Sequence, residues 1–316
     1  MQMAEYRPIP REQLVALIQE INGRLVVHEA DCIQEYTRQK DTPPGSRPKL
    51  KDNECHDLIA LYKALLVSYW DFLIACCSPS ATAKVRQLPL KYMMPMRLWR
   101  HGIHSLLEIF RDGHPAAQVA FTDIAYPIIT DLLEKVPEYE NIWTESLGDL
   151  FRYRMAAATT DGDWNEAARN ARHWYLKTAT QLPETGRLYH HLAVVARPDQ
   201  LQQLYYYGKS LAVPEPFVAA RKSIMTLLNP TPDLAGERCS SIVIKAILRS
   251  HALIFKGASL DTINEPLWEI KSNLDGYIAH ITKKYLVQGY YIAICNRPTT
   301  ILLLSRLSAS PPAKTQ

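Results

Sequence analysis

The chain has 316 residues, 47% of them hydrophobic, which suffices for a substantial core in one large or two ordinary domains and excludes a disordered tail. Lys and Arg total 36 against 32 Asp and Glu; this net charge of +4 is too weak to mark a nucleic-acid protein by charge alone, so any anion site must be local. The six cysteines (Cys32, Cys55, Cys76, Cys77, Cys239, Cys295) show no CxxC pair and no His/Cys metal spacing, and they are sparse for a secreted disulfide scaffold.

A reducing compartment fits that usage. The N-terminus, MQMAEYRPIPREQ, lacks the apolar stretch of a signal peptide, and no run approaches the ~20 apolar residues of a membrane span. The reading is a soluble intracellular protein with no membrane partner. Helical periodicity dominates, without a series of alternating strand segments, so the expected fold is all-α.

The first helix is expected from about Arg11 to Arg38, with Leu14, Leu17, Ile18, Ile21, Leu25 and Val26 at three- and four-residue spacings. The proline-rich stretch DTPPGSRP, 41 to 48, then reads as a linker. A second helix begins near Asn53, carries Leu58, Leu61, Tyr62, Leu65, Leu66, Tyr69 and Phe72, and ends before SPSA at 78 to 81; Lys63 interrupts its apolar run. The third, after Pro95, presents Arg97, Arg100, His101, His104 and Glu108 as one polar row opposite Leu98, Ile103, Leu106, Leu107 and Phe110. Such a row usually means a solvated surface.

Two antiparallel helices are expected next, from about Ala116 to Lys135 and from about Glu138 to Ala158, parted by Val136 and Pro137. On the second, at 100° per residue, Trp143, Leu150, Phe151 and Arg154 fall within a quarter turn of Leu147, while Arg152 lies on the far face near Glu145 and Asp149. DGDW, 161 to 164, reads as a turn. Beyond it YLKTATQLP begins at Tyr175 and YYGKSLAVP at Tyr206, 31 residues later, an imperfect echo of the tetratricopeptide period of about 34. Trp143, Leu147, Gly148, Tyr153 and Pro183 echo the same signature. Helices at about 238 to 256 and 262 to 288 precede RLSASPPAKTQ, a polar end expected to be disordered.

The stretches LGDLFRYR and GRLYHHLAVVARPDQLQQLYYYGKSLAVPEPF resemble the Est-one and SMG family, telomerase-associated and nonsense-mediated-decay adaptors. The resemblance rests on Gly-x-x-Tyr-x-x-Leu-Ala at 186 to 193, Ser-Leu-Ala-Val at 210 to 213, Pro-Phe at 216 to 217, and MPMRLWRHGIHSLLE at 94 to 108, which is similar to fungal members. It implies a 14-3-3-like domain over 1 to 158, a tetratricopeptide-like DNA/RNA-binding domain over 159 to 300, and a tail over 301 to 316. In 14-3-3 proteins a Gly-Asp-x-x-Arg-Tyr stretch lends its Arg and Tyr to a phosphoserine or phosphothreonine pocket; here it reads Gly148 to Tyr153.

By that resemblance Lys63 and Arg152 form the cationic clamp, Tyr153 donates a hydroxyl, and His190 stands where an Asn is expected. A second cation seven residues after the lysine is missing, the position being Trp70. The chemistry suits the task, because a phosphate of charge near −1.5 to −2 matches an Arg fork assisted by a lysine. The bland alternative is an Asp149–Arg152 pair on a solvated helix, worth ~0.2–0.5 kcal/mol. Arg154 reads as a snorkelling or carboxylate-paired structural residue.

The resemblance further implies a phosphorylated protein partner, of the RNA-helicase type, with action in nucleus and cytoplasm. Its telomerase branch implies a competing role, binding the telomerase ribonucleoprotein or single-stranded RNA or DNA. For that role Lys91, Arg97, Arg100, His101 and His104 supply cations, and Tyr92 and Trp99 supply rings for stacking. No Gly-rich phosphate loop, Gly-x-Ser-x-Gly elbow or His-Glu-x-x-His motif is present, so neither an enzyme, a cofactor nor a metal is expected. The helices and tail after residue 230 give no expectation of a nuclease.

Overall fold

The computed structural model describes residues 10–41, 49–111, 113–229 and 241–297, and it is all-α. Among the described residues the only extended pairing is one isolated bridge, Thr185 with Glu215. The chain divides into two compact units between Trp174 and Tyr175. Most of the expected linker at 41 to 48, the whole tail at 301 to 316, and Cys239 lie outside the described residues. The other five cysteines are free thiols.

The first unit opens with α1 (Arg11–Asp41) and α2 (Asp52–Cys76). Leu14, Ile18, Ile21, Leu25 and Cys32 of α1 are buried at the expected spacings, while Val26 is exposed. α2 is the core helix: Tyr62, Leu65, Leu66, Tyr69 and Leu73 are completely buried. By length and composition α2 is apolar enough to cross a membrane, contrary to the sequence reading, but its apolar residues are the centre of this unit. That is where the hydrophobic effect places a helix apolar around most of its circumference.

Three four-residue turns follow, α3 (Ala83–Arg86), α4 (Leu88–Lys91) and α5 (Met94–Arg97). A π-helix (Leu98–His104) then runs into α6 (Ser105–Phe110). Gly102 sits where an added Cβ would come 3.1 Å from Leu66 Cδ2, so the π-helix lies tightly on α2. α7 (Pro115–Lys135) packs on α2 in parallel, as the Tyr62–Phe121 and Trp70–Asp131 contacts show, and α8 (Glu140–Ala157) returns antiparallel to α7. Phe121, Ile129 and Leu132 of α7 and Trp143, Leu147 and Leu150 of α8 close the core.

α9 (Asp161–Gln181) begins at the residues read as a turn. The Thr160 hydroxyl accepts the Asp163 N–H (3.1 Å) and donates to the Asp163 carboxylate (2.7 Å), so DGDW is the capped first turn of a helix. The division between the two compact units falls inside this helix.

In the second unit α10 (Gly186–Val195) and α11 (Gln200–Ala212) form a helical hairpin. α12 (Ala220–Leu228), α13 (Ile242–Phe255) and α14 (Leu260–Ile281) follow. The last expected helix is broken: Thr282, at φ 47°, turns the chain through a 3-10 turn (Thr282–Lys284) into α15 (Tyr285–Cys295), which packs on α11. The motif at the start of α10 is knitted by backbone hydrogen bonds. Gly186 donates to Glu215 (2.8 Å), Glu215 to Glu184 (3.1 Å) and Phe217 to Ser210 (3.1 Å), and the Ser210 hydroxyl donates to Gly186 O (2.7 Å).

Candidate phosphate-binding site

The π-helix decides which side chains meet. In an uninterrupted α-helix Arg97, His101, His104 and Glu108 share one stripe. Instead, Arg97 reaches α1: its Nε donates to Glu29 Oε1 at 3.0 Å, and Tyr69 donates to the same carboxylate. Burial pushes Glu29 up, yet the hydrogen bonds from Arg97 and Tyr69 hold it below the usual carboxylate range. His101 belongs to this side too; burial lowers its pKa against the pull of Glu29.

His104 and Glu108 face α8. The Tyr153 hydroxyl donates to Glu108 Oε1 at 2.5 Å, and the His104 ring meets the Tyr153 ring edge-on at 6.2 Å between centroids. Arg111, seven residues after His104, pairs with Glu108 at 2.9 Å. From α8, Arg152 donates Nε (3.1 Å) and Nη2 (2.8 Å) to Asp149 Oδ1, and its guanidinium lies 4.7 Å from the Tyr153 ring centroid. Gln118 of α7 donates to Tyr153 O at 2.6 Å, fixing the backbone of this turn.

The cluster thus gathers His104, Glu108 and Arg111 against Asp149, Arg152 and Tyr153. Burial, and then the hydrogen bond to Glu108, raise the Tyr153 pKa far above the ordinary phenol value, so the hydroxyl stays a donor. Burial lowers His104, opposed by Glu108 and Asp149, so the ring is neutral at neutral pH. The arrangement sets two guanidinium groups, an imidazole and a phenol within reach of two carboxylates. It can take an anion at the guanidinium groups by displacing carboxylate contacts.

Lys63 is exposed on α2 and forms no hydrogen bond or ion pair with a described residue. Its helix face continues through Val67 and Trp70, which line a hollow with Pro127, Ile128 and Asp131 of α7; the Trp70 indole donates to Asp131 at 2.6 Å. The structure places His104, not Lys63, beside Tyr153, and Arg111 fills the plus-seven position counted from His104. The missed signal was the five-residue step from Leu98 to Ile103, both fully buried, which fits the i→i+5 bonding of a π-helix.

The other expected residues are dispersed. Arg154 pairs with Asp123 of α7 and with it lines a groove whose aromatic wall is Tyr126 and Phe151. Lys91 lies over the Tyr92 ring at 5.2 Å, and Arg100 is exposed; with Arg97 on Glu29 and His104 on Tyr153, the row does not form one surface. His190 belongs to the second unit, among the rings of Phe217 (4.9 Å) and Tyr207 (5.8 Å).

Residues 171–275 match the family described as the Est1 DNA/RNA binding domain. Over 260 residues the chain is 22% identical to the EST/SMG-like protein 2 of Saccharomyces cerevisiae, covering 76% of this chain and 21% of that protein. It is 31% identical over 124 residues to the nonsense-mediated mRNA decay factor SMG7 of Danio rerio, covering 37% of this chain and 10% of that protein. A third relative, the telomerase-binding protein EST1A of Danio rerio, is 39% identical over 94 residues, 28% of this chain and 6% of that protein. The chain therefore spans about a fifth or less of the length of these relatives.

Proposed function

We propose that the chain is a member of the Est1/SMG family and a non-catalytic adaptor that docks a phosphorylated protein through the cluster between α6 and α8. The observation that carries this reading is the convergence of His104, Arg111, Arg152 and Tyr153. A phosphoserine dianion takes the Arg152 and Arg111 donors in competition with Asp149 and Glu108, and Tyr153 turns its hydroxyl from Glu108 to a phosphate oxygen. His104 accompanies them as a donor. Lys63 enters the proposal only as a flanking group for the rest of the peptide, and His190, in the second unit, is not part of it.

The partner is a phosphorylated factor of RNA decay or telomere maintenance, met in cytoplasm or nucleus, in keeping with the names of SMG7 and EST1A. Fluorescence anisotropy with a phosphoserine peptide and its unphosphorylated twin tests it. Arg152→Ala is expected to cut the preference for the phosphopeptide about tenfold or more, at unchanged helical circular dichroism, as loss of a charge-assisted contact of about 1.5–3 kcal/mol requires. Equal preference in wild type and variant sinks the reading.

A second reading concerns the second unit. The match of residues 171–275 to the Est1 DNA/RNA binding domain favours single-stranded nucleic acid as a ligand there. Its signature is an oligonucleotide affinity that falls steeply with salt.

A further inference from the structure

Six of the chain's 17 tyrosines lie on α11 and α15, the two helices that pack together at the end of the second unit. The Tyr205 ring lies 5.1 Å from Tyr291, 5.8 Å from Tyr290 and 5.0 Å from Tyr206. Tyr206 and Tyr291 are buried, and Gln202 donates to the Tyr291 hydroxyl at 2.7 Å, so the base of the cluster is fixed. Tyr290 stands above it, 53% exposed.

The two helices carry charges of one sign, with Asp199 capping the start of α11 beside Gln202. Residues 200–212 and 282–295 contain Lys209, Lys283 and Lys284 and not a single Asp or Glu. Lys209 lies 4.2 Å from the Tyr189 ring centroid on α10, next to Tyr205 along α11. Lys283 and Lys284 are exposed in the 3-10 turn that leads into α15, and Lys283 precedes Tyr290 by seven residues. A fixed aromatic base with one exposed ring on two helices whose own charges are lysines fits a polyanion whose bases have π faces.

We propose that Tyr205 and Tyr290 form a stacking platform for single-stranded nucleic acid, with Lys209 on one side and Lys283 and Lys284 on the other holding the phosphates. Tyr290, Lys283 and Lys284 lie beyond the stretch that matches the DNA/RNA-binding family, so the site extends onto α15. The proposal rests on the nucleic-acid reading of the second unit and gives it an address. Stacking without base-edge contacts makes the preference for sequence weak and admits both RNA and DNA.

The test is anisotropy of the full chain with labelled oligo(rU) and oligo(dT) of about 15 nucleotides at roughly 50 and 200 mM salt. Tyr290→Ala is expected to weaken binding about tenfold or more and Tyr290→Phe to retain it, because the ring and not the hydroxyl does the stacking. Replacing Lys283 and Lys284 together by Ala lowers the log–log salt slope by about 1.4. Oligonucleotide binding that persists unchanged in both variants overturns the platform and leaves the nucleic-acid reading standing. No binding at the lower salt overturns both. Leu286, 81% exposed one turn before Tyr290, supplies the rival occupant. Self-association that Tyr290→Ala abolishes, without oligonucleotide binding, assigns the face to protein contact and overturns the proposal.

Discussion

His104 has four charged groups around it: Glu108 and Arg111 on its own side and Asp149 and Arg152 on α8. Burial keeps it neutral, so an incoming phosphate finds an imidazole rather than an imidazolium. A bound dianion reverses that balance and draws a proton onto the ring. Phosphopeptide affinity is therefore expected to rise as pH falls from 8 to about 6.5, above the second phosphate pKa of about 6. His104→Gln should flatten the profile while leaving a phosphate preference; an unaltered profile in that variant removes His104 from the site. Stability runs the other way. A histidine whose folded pKa is depressed costs stability once pH drops below its unfolded value of about 6.5, so the unliganded protein is expected to weaken as pH falls below that value.

At the scale of elements, the resemblance motif beginning at Gly186 has a mechanical explanation. A Cβ there would lie 2.4 Å from Ser210 O, 2.6 Å from Phe217 N and 2.7 Å from Glu215 O, all backbone atoms that cannot rotate away. The glycine thus lets the Pro216–Phe217 segment cross the start of α10, and Ser210 and Glu215 tie the crossing down. Gly186→Ala is expected to destabilise the second unit by roughly 3 kcal/mol or more, with a lowered thermal midpoint as readout. Retention of wild-type stability shows that the loop shifts freely. The extents of α1, α2, α7 and α8 were legible because their apolar spacings are regular, whereas the short turns α3 to α5 and the π-helix were not. The start of α9 was not, because Thr, Asp and Gly serve turns and helix caps alike.

The two proposals put one anion-directed surface in each compact unit, under a net charge of only +4. That near balance conceals both: Arg152 and Arg111 are paired with carboxylates, and the three lysines of the tyrosine cluster are offset by acids elsewhere in the chain. Bulk charge made neither surface visible. Arg152 and Tyr153 were legible through their resemblance motif, whereas His104 and Arg111 required knowing how the intervening helix is wound. If the two surfaces serve different ligands, Arg152→Ala should reduce phosphopeptide binding and spare oligonucleotide binding, and Tyr290→Ala should do the reverse. A parallel loss of both activities in either variant, measured on the same preparations, refutes that division.

The winding of Leu98–His104 makes chain length itself a determinant of recognition. Removing one residue from this stretch would restore ordinary α-helical winding with the helix beyond it still nearly in phase, whereas winding the same residues as an α-helix would rotate everything beyond by about 100°. Glu108 and Arg111 would then turn away from Tyr153 while the core lost little of its composition. A single-codon deletion here is therefore expected to spare the orientation of Glu108 and Arg111, and an alignment that ignored the extra residue would pair the wrong cations.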